Sequence, residues 1–105
     1  MDIESSARRL NEAFDQLSHS RDQFSLMACQ HLLAVVEACK TSTIDRSQLT
    51  YLFEYVKTFS FALTDELKET VHLGASLKVQ DDSYFRALEK NLRLIKDQLS
   101  AAPRR

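Results

Sequence analysis

The sequence predicts an all-α fold, an antiparallel bundle of three to four helices, and three observations carry this prediction. The chain of 105 residues has one glycine and one proline, far fewer than the turns of a sheet protein need. Apolar residues recur every three or four positions from Ile3 onward, the spacing of an amphipathic helix. The segment Phe24–Cys39 has twelve apolar residues in sixteen, so a helix through it needs cover on every side. We expect a single domain over residues 1–105, because this length is typical of one domain.

The first two predicted helices span about residues 3–18 and 20–40. A stripe of apolar residues, spaced alternately four and three apart, runs through both, as in a coiled coil. Ser20 is followed three residues later by Gln23, which matches a capping box and predicts a helix start at Ser20. Arg21 occupies a position of the apolar stripe, and this also favours a break. The alternative is one continuous helix through both segments, since the stripe keeps its phase.

The third predicted helix spans about residues 45–78. Asp45 can cap its first turn, and Gln48 stands where a capping box needs it. The apolar spacing slips by one position at Leu67, and Thr64 precedes two acidic residues, as at the start of a helix. We therefore expect a kink near residue 64.

The last predicted helix spans about residues 83–101 and follows the capping cluster at 81–83. The third helix would be about 50 Å long at the usual rise per residue. The last helix would then begin too far away to reach Phe24–Cys39. We expect that segment to be covered by residues 3–18 folded back or by another protein, with surplus apolar surface near the loop at 41–44.

The densest aromatic segment is Tyr51–Phe61, with five rings in eleven residues. Rings so close along a helix cannot all face one direction, so we expect Phe61 or Tyr51 to lie outside the core. Exposed aromatic side chains are favoured at the centres of protein interfaces. The residues predicted to contact a partner come from this segment and from the apolar helix: Tyr51, Phe53, Tyr55, Phe61, Leu26, Leu33 and Arg21.

These features favour a non-enzymatic module for protein–protein interaction, such as a small adaptor, chaperone-like or regulatory protein. We expect it to act by helix–helix packing with a protein partner or with a second copy, as a homodimer. The sequence has no nucleophile–base arrangement and no glycine-rich phosphate loop. We therefore expect no catalytic residue, no cofactor and no small-molecule substrate.

The composition limits the classes of partner that we expect and predicts the cellular compartment. The net charge of −1 argues against nucleic acid, which is usually bound by a basic excess. The longest apolar run is Leu32–Val36, far short of the roughly 20 residues that span a bilayer, so no membrane association is expected. Cys29 and Cys39 would lie about 15 Å apart in one helix and cannot pair there. We expect two reduced thiols in a cytoplasmic protein without a secretory signal.

Two histidines, His31 and His72, are candidate site residues. His31 lies among apolar residues without a second ligand one turn away, so we interpret it as a core histidine and expect no metal. His72 is followed by the small residues Ala75 and Ser76, which would leave room on one helix face.

The stretch around His72 resembles the phosphoacceptor segment of histidine phosphotransfer domains, which are helical bundles of similar length. Their pattern is His-x-Leu-Lys-Gly, whereas Gly74 here comes two positions after His72 and the lysine is absent. The resemblance implies His72 as a possible phosphoacceptor, which gives a second hypothesis of function. A small helical secreted effector is a third.

Overall fold

Five α-helices and two short 3₁₀ turns make up the described part of the computed structural model, which comprises residues 3–17 and 20–101. The helices are α1 Ile3–Leu17, α2 Arg21–Lys40, α3 Arg46–Lys57, α4 Asp65–Gly74 and α5 Asp82–Ser100, and the turns are Ser60–Ala62 and Leu77–Gln80. No strand occurs in these two described ranges. The all-α class is confirmed, and the number of helices exceeds the predicted three to four.

The chain breaks at Ser20, as the capping box predicted. Ser20 has extended backbone angles, and its hydroxyl accepts a hydrogen bond from the N–H of Gln23 at 3.3 Å. Helix α1 then packs back along α2, and the rings of Phe14 and Phe24 lie 5.6 Å apart between the two helices. The alternative of one helix over residues 3–40 is therefore wrong. Residue 18, the predicted end of the first helix, lies outside the described residues.

Helix α2 ends in a tight turn at the predicted loop. The N–H of Ser42 donates to the carbonyl of Cys39 at 3.1 Å, and the N–H of Thr43 donates to the carbonyl of Ala38 at 2.9 Å. This pair of bonds is a Schellman motif. It places Ser42 in the left-handed region, with φ of 63°, and leads directly into α3.

The predicted single helix over 45–78 is wrong, because the chain reverses direction inside it. Helix α3 begins at Asp45, whose N–H donates to Gln48 Oε1 at 3.2 Å. It ends where the Thr58 hydroxyl donates to the Tyr55 carbonyl at 2.6 Å, since such side-chain bonds compete with the helical ladder. The expected kink near 64 is instead the extended N-cap Thr64 of a separate helix, α4, which packs back against α3.

The reversal brings α5 alongside α2, so the expectation that the last helix could not reach the apolar helix is also wrong. The Cys29 thiol donates to the carbonyl of Leu92 at 3.0 Å, and Arg93 bonds Glu37 at 2.7 Å. Helix α2 is thus covered by α1, α3 and α5. Its central residues Leu32, Val35 and Val36 are fully buried in one core shared by all five helices.

Candidate functional site

Four aromatic rings contact one another in a row, and Tyr51 lies one helical turn before the first of them. Together they are here called the aromatic ridge: Tyr51, Tyr55, Phe59, Phe14 and Phe61. The ring of Tyr55 lies 5.4 Å from Phe59, Phe59 lies 4.8 Å from Phe14, and Phe14 lies 5.6 Å from Phe61. Tyr51 precedes Tyr55 by four residues on α3, and this spacing places both on one helix face. The ridge therefore joins α1, α3 and the Ser60–Ala62 turn.

The ridge is exposed at its two ends and anchored in its middle. Tyr51 is 68% exposed and Phe61 is 65% exposed, although both are large side chains. Tyr55, Phe59 and Phe14 are half-buried. Underneath them the fully buried ring of Phe24 contacts Phe14 at 5.6 Å and Phe59 at 6.1 Å. The core thus fixes the middle of the row, while its two ends face solvent.

The ridge contains three of the predicted contact residues, Tyr51, Tyr55 and Phe61. Two others, Phe53 and Leu33, are 0% and 7% exposed within the chain's own core, so the folded chain does not offer them to a partner. The periodicity of a helix explains this difference, because residues two positions apart lie on nearly opposite faces. Phe53 therefore faces away from the side of α3 that carries Tyr51 and Tyr55.

The two remaining predicted contact residues, Leu26 and Arg21, are not among the rings of the ridge. Leu26 is half-buried, and Arg21 is exposed at the first position of α2. Phe14 and Phe59 were missed as site residues, although Phe14 stands on the apolar stripe and Phe59 within the aromatic segment.

Phe61 contacts Phe14, which contacts Phe24 in the first turn of α2. This exposed ring therefore lies at the end of α2 opposite the loop at 41–44, where surplus apolar surface was expected. That loop instead borders a cavity of about 690 Å³ lined mostly by charged side chains: Lys40, Arg46, Asp82, Arg86 and Glu89. The Arg46 guanidinium stacks over the Phe85 ring at 4.1 Å and pairs with Asp82 at 2.8 Å.

Lys40 bonds Glu89 at 3.0 Å beside the same cavity. Hydrogen bonds from Arg93 and then from Lys40 lower the pKa of Glu89. Most of the charged side chains that line the cavity are therefore already paired with other residues of the same chain.

His31 is half-buried between α1 and α2. Its Nε2 atom is buried and has no hydrogen-bond partner among the described residues. Burial and then the positive charge of Arg9 lower the pKa of His31, while a bond to the backbone of Ser6 acts in the opposite direction. In the described ranges no three His, Cys, Asp or Glu side chains are grouped closely enough to hold a metal ion.

The two cysteines are free thiols. Burial raises the pKa of Cys29 to about 12, so this thiol stays protonated and serves as a small core side chain. Cys39 is half-buried, and burial raises its pKa as well.

His72 is exposed near the end of α4. The helix ends at Gly74, so Ala75 and Ser76 lie beyond it and do not form the helix face that the sequence suggested. Gly74 itself is buried and faces the ring of Phe53. The exposure of His72 is the one feature of this region that suits a phosphoacceptor.

Comparison with known proteins identifies no relative of this chain, so its function has to be inferred from the arrangement of its own side chains. No family model matches the chain, and no curated protein or solved structure matches it either. None of the helices in the described ranges has the length and apolar character needed to cross a membrane.

Proposed function

We propose that this protein is a non-enzymatic helical module that binds a partner protein through the aromatic ridge. The observation that supports it is the exposure of two large rings, Tyr51 at 68% and Phe61 at 65%. A row of contacting rings runs from Phe61 to Tyr55, and Tyr51 lies one helical turn before Tyr55 on the same face of α3. A contiguous apolar patch on a protein surface marks an interaction site more often than a single exposed side chain does.

The construction of the ridge favours binding at low entropic cost. Aromatic side chains have few rotatable bonds, and the core already holds Phe14 and Phe59 against Phe24. Less freedom is therefore lost on association than for long flexible side chains. The two tyrosines add hydroxyl groups that can bond at the rim of an apolar contact.

The partner chemistry that suits this surface is an amphipathic helix with an apolar face, because ridges of side chains pack into the grooves of helices. An adaptor, chaperone-like or regulatory role follows from such binding. We also propose a reducing, cytoplasmic setting, which the two free thiols support.

The test is site-specific photocrosslinking in cells that make the protein. A photoreactive residue at position 61 or 51 should yield a discrete crosslinked species, whereas the same residue at position 77 should not. Leu77 is the matched control, since it is 78% exposed and belongs to the Leu77–Gln80 turn. Phe61→Asp should remove the species formed from position 51 and keep the helical circular dichroism.

Two results would contradict this proposal. One is the absence of a crosslinked species from both ridge positions, and the other is a pattern identical to that from position 77. If Phe61→Asp loses its helical signal, Tyr51→Asp supplies the second variant, because it lies on the solvent face of α3.

Phosphotransfer through His72 is the second candidate, and the exposure of this side chain favours it. It predicts that labelled phosphate passes from a phosphorylated receiver domain to the wild-type chain and fails to pass to His72→Gln. Equal labelling of both proteins, or of neither across the receivers of one organism, would dismiss it. A secreted effector remains a prediction from the sequence.

A further inference from the structure

The outward face of α5 carries one exposed leucine, Leu94, between two hollows of opposite charge. Leu94 is 50% exposed and lines both hollows. The hollow on its α2 side has a volume of about 370 Å³, and the one on its α4 side about 250 Å³. Leu94 thus projects between two shallow grooves, the first lined by side chains of α5 alone and the second by side chains of α4 and α5.

The first hollow is mainly basic and is here called the basic flank. Its charged lining consists of Arg86, Lys90, Arg93, Glu89 and Asp97. Arg93 and Glu89 are already paired with each other at 2.9 Å. Arg86 and Lys90 make no ion pair with any described residue, and Asp97 offsets one of these two positive charges.

The second hollow is acidic and is here called the acidic flank. Glu66 and Glu69 of α4 supply its charges, and none of the described residues that line it is basic. Within the described part of the chain neither carboxylate has an ion-pair partner. The protein therefore presents unpaired charges of opposite sign on the two sides of one apolar side chain.

We propose that a second copy of this chain docks on this face, with Leu94 packed against Leu94 of the other copy and each basic flank opposite the other copy's acidic flank. In a two-fold dimer the same patch faces itself. An axis that lies in the interface and runs along α5 exchanges the two flanks, so opposite charges meet. An axis across α5 would oppose like charges, which is unfavourable.

The dimer is expected to be weak and sensitive to salt. A single exposed leucine with charged surroundings is a small apolar centre, typical of interfaces below about 1,200 Å². Exposed charge pairs are screened within about 8 Å at physiological ionic strength. Self-association should therefore weaken when the salt concentration rises. This inference does not depend on the aromatic ridge, which is formed by other elements.

Analytical ultracentrifugation of the full chain tests the proposal first. The wild type should show a monomer–dimer equilibrium at low salt that shifts to monomer at high salt. Leu94→Asp should abolish the dimer, while the exposed control Leu77→Asp should leave it unchanged. A wild type that stays monomeric at low salt and high protein concentration overturns the proposal. The proposal is also overturned if the dimer persists in Leu94→Asp but is lost in Phe61→Asp. That result would show that the chain self-associates through the aromatic ridge.

A charge-reversal pair tests the orientation while keeping Leu94. One variant combines Glu66→Lys with Glu69→Lys, and the other combines Arg86→Glu with Lys90→Glu. Each should be monomeric alone, since like charges would then face each other. Mixed in equal amounts, they should form a heterodimer, because both contacts regain opposite charges. Failure of the mixture to associate, with both variants folded by circular dichroism, overturns the proposed arrangement.

Discussion

The backbone of Gly74 lies against the ring of Phe53, close enough to exclude a side chain. A Cβ atom built on Gly74 would stand 2.6 Å from both Cε1 and Cγ of that ring, well inside van der Waals contact. The ring is fully buried and cannot swing into solvent. Gly74 does not adopt a positive φ, so the backbone does not need a glycine at this position. What the position needs is the absence of a side chain, which lets α4 pack closely on α3.

Gly74→Ala is therefore expected to destabilise the protein, although alanine is the better helix former. Overpacking a core typically costs about 1–3 kcal/mol, which exceeds the roughly 1 kcal/mol that alanine gains in helix propensity. Urea unfolding followed by circular dichroism measures the change. In a Phe53→Leu background the same substitution should cost less, because the ring that it meets is gone. Equal costs in both backgrounds would show that the two residues are not coupled.

Ser42→Gly is expected to stabilise the protein. Ser42 has φ of 63° at the end of α2, and this left-handed conformation is unfavourable for residues with a Cβ atom. Glycine removes that strain but gains freedom in the unfolded chain, so a net gain of about 0.5–1 kcal/mol is expected. The urea midpoint should rise with an unchanged slope. Ser47→Gly, the same change inside α3, is the matched control and should lower the midpoint.

His31 is expected to make stability depend on pH near neutrality. Its pKa is lowered from 6.5 in the folded chain, first by burial and then by Arg9. The unfolded chain therefore binds a proton at higher pH than the folded one, so this contribution to stability is complete above about pH 6.5 and is lost as the pH falls toward the folded pKa. Arg9 and Glu12 are the charged residues of α1 that line the same hollow as His31.

The pH effect of His31 is measured as the difference in the free energy of unfolding between wild type and His31→Gln. The loss of stability between about pH 6.5 and pH 5 should be smaller in the variant. Glu89 affects the free energy of unfolding at lower pH than His31 does, because hydrogen bonds from Arg93 and then Lys40 lower its pKa from 4.5. A His31→Gln profile parallel to that of the wild type between pH 5 and 6.5 would refute the assignment.

The two thiols should differ strongly in reactivity. Cys29 is fully buried with its pKa raised to about 12, and its thiol donates to Leu92 between α2 and α5. Alkylation needs the thiolate, so Cys29 should react only when the helices separate. In single-cysteine variants, Cys39 should react faster than Cys29 by about a thousandfold or more, given typical folding stabilities. Similar rates would mean that α5 detaches readily from α2.

Local signals predicted most of the helix boundaries. Ser20, Asp45 and Asp81 all act as N-caps, and the helices that follow them begin within one residue of the predicted positions. Capping is a matter of a few neighbouring residues, so it can be read from sequence. The reversal after Thr58 could not be predicted in the same way. Apolar periodicity continues on both sides of it, and the packing of α4 on α3 that fixes it is a contact between distant residues.

The exposure of the predicted contact residues followed from sequence only where a local rule sufficed. The expectation that Phe61 or Tyr51 lies outside the core is confirmed for both side chains. Phe53 lies on the opposite face of α3 from Tyr51 and Tyr55, and its ring packs against Gly74 only because the chain reverses after α3. The position of the ridge was missed for a related reason, since Phe14 joins it only after α1 folds back at Ser20.

The thiol of Cys29 and the carbonyl of Leu92 are 63 residues apart in sequence, and this separation has a consequence for biosynthesis. Ribosomes add roughly 5–20 residues per second, so α2 exists for about 3–12 s before its α5 cover has been made. During that interval a helix with apolar residues on every side has only α1 and α3 to shield it. The nascent chain is therefore most prone to aggregation before α5 has been made and has packed on α2.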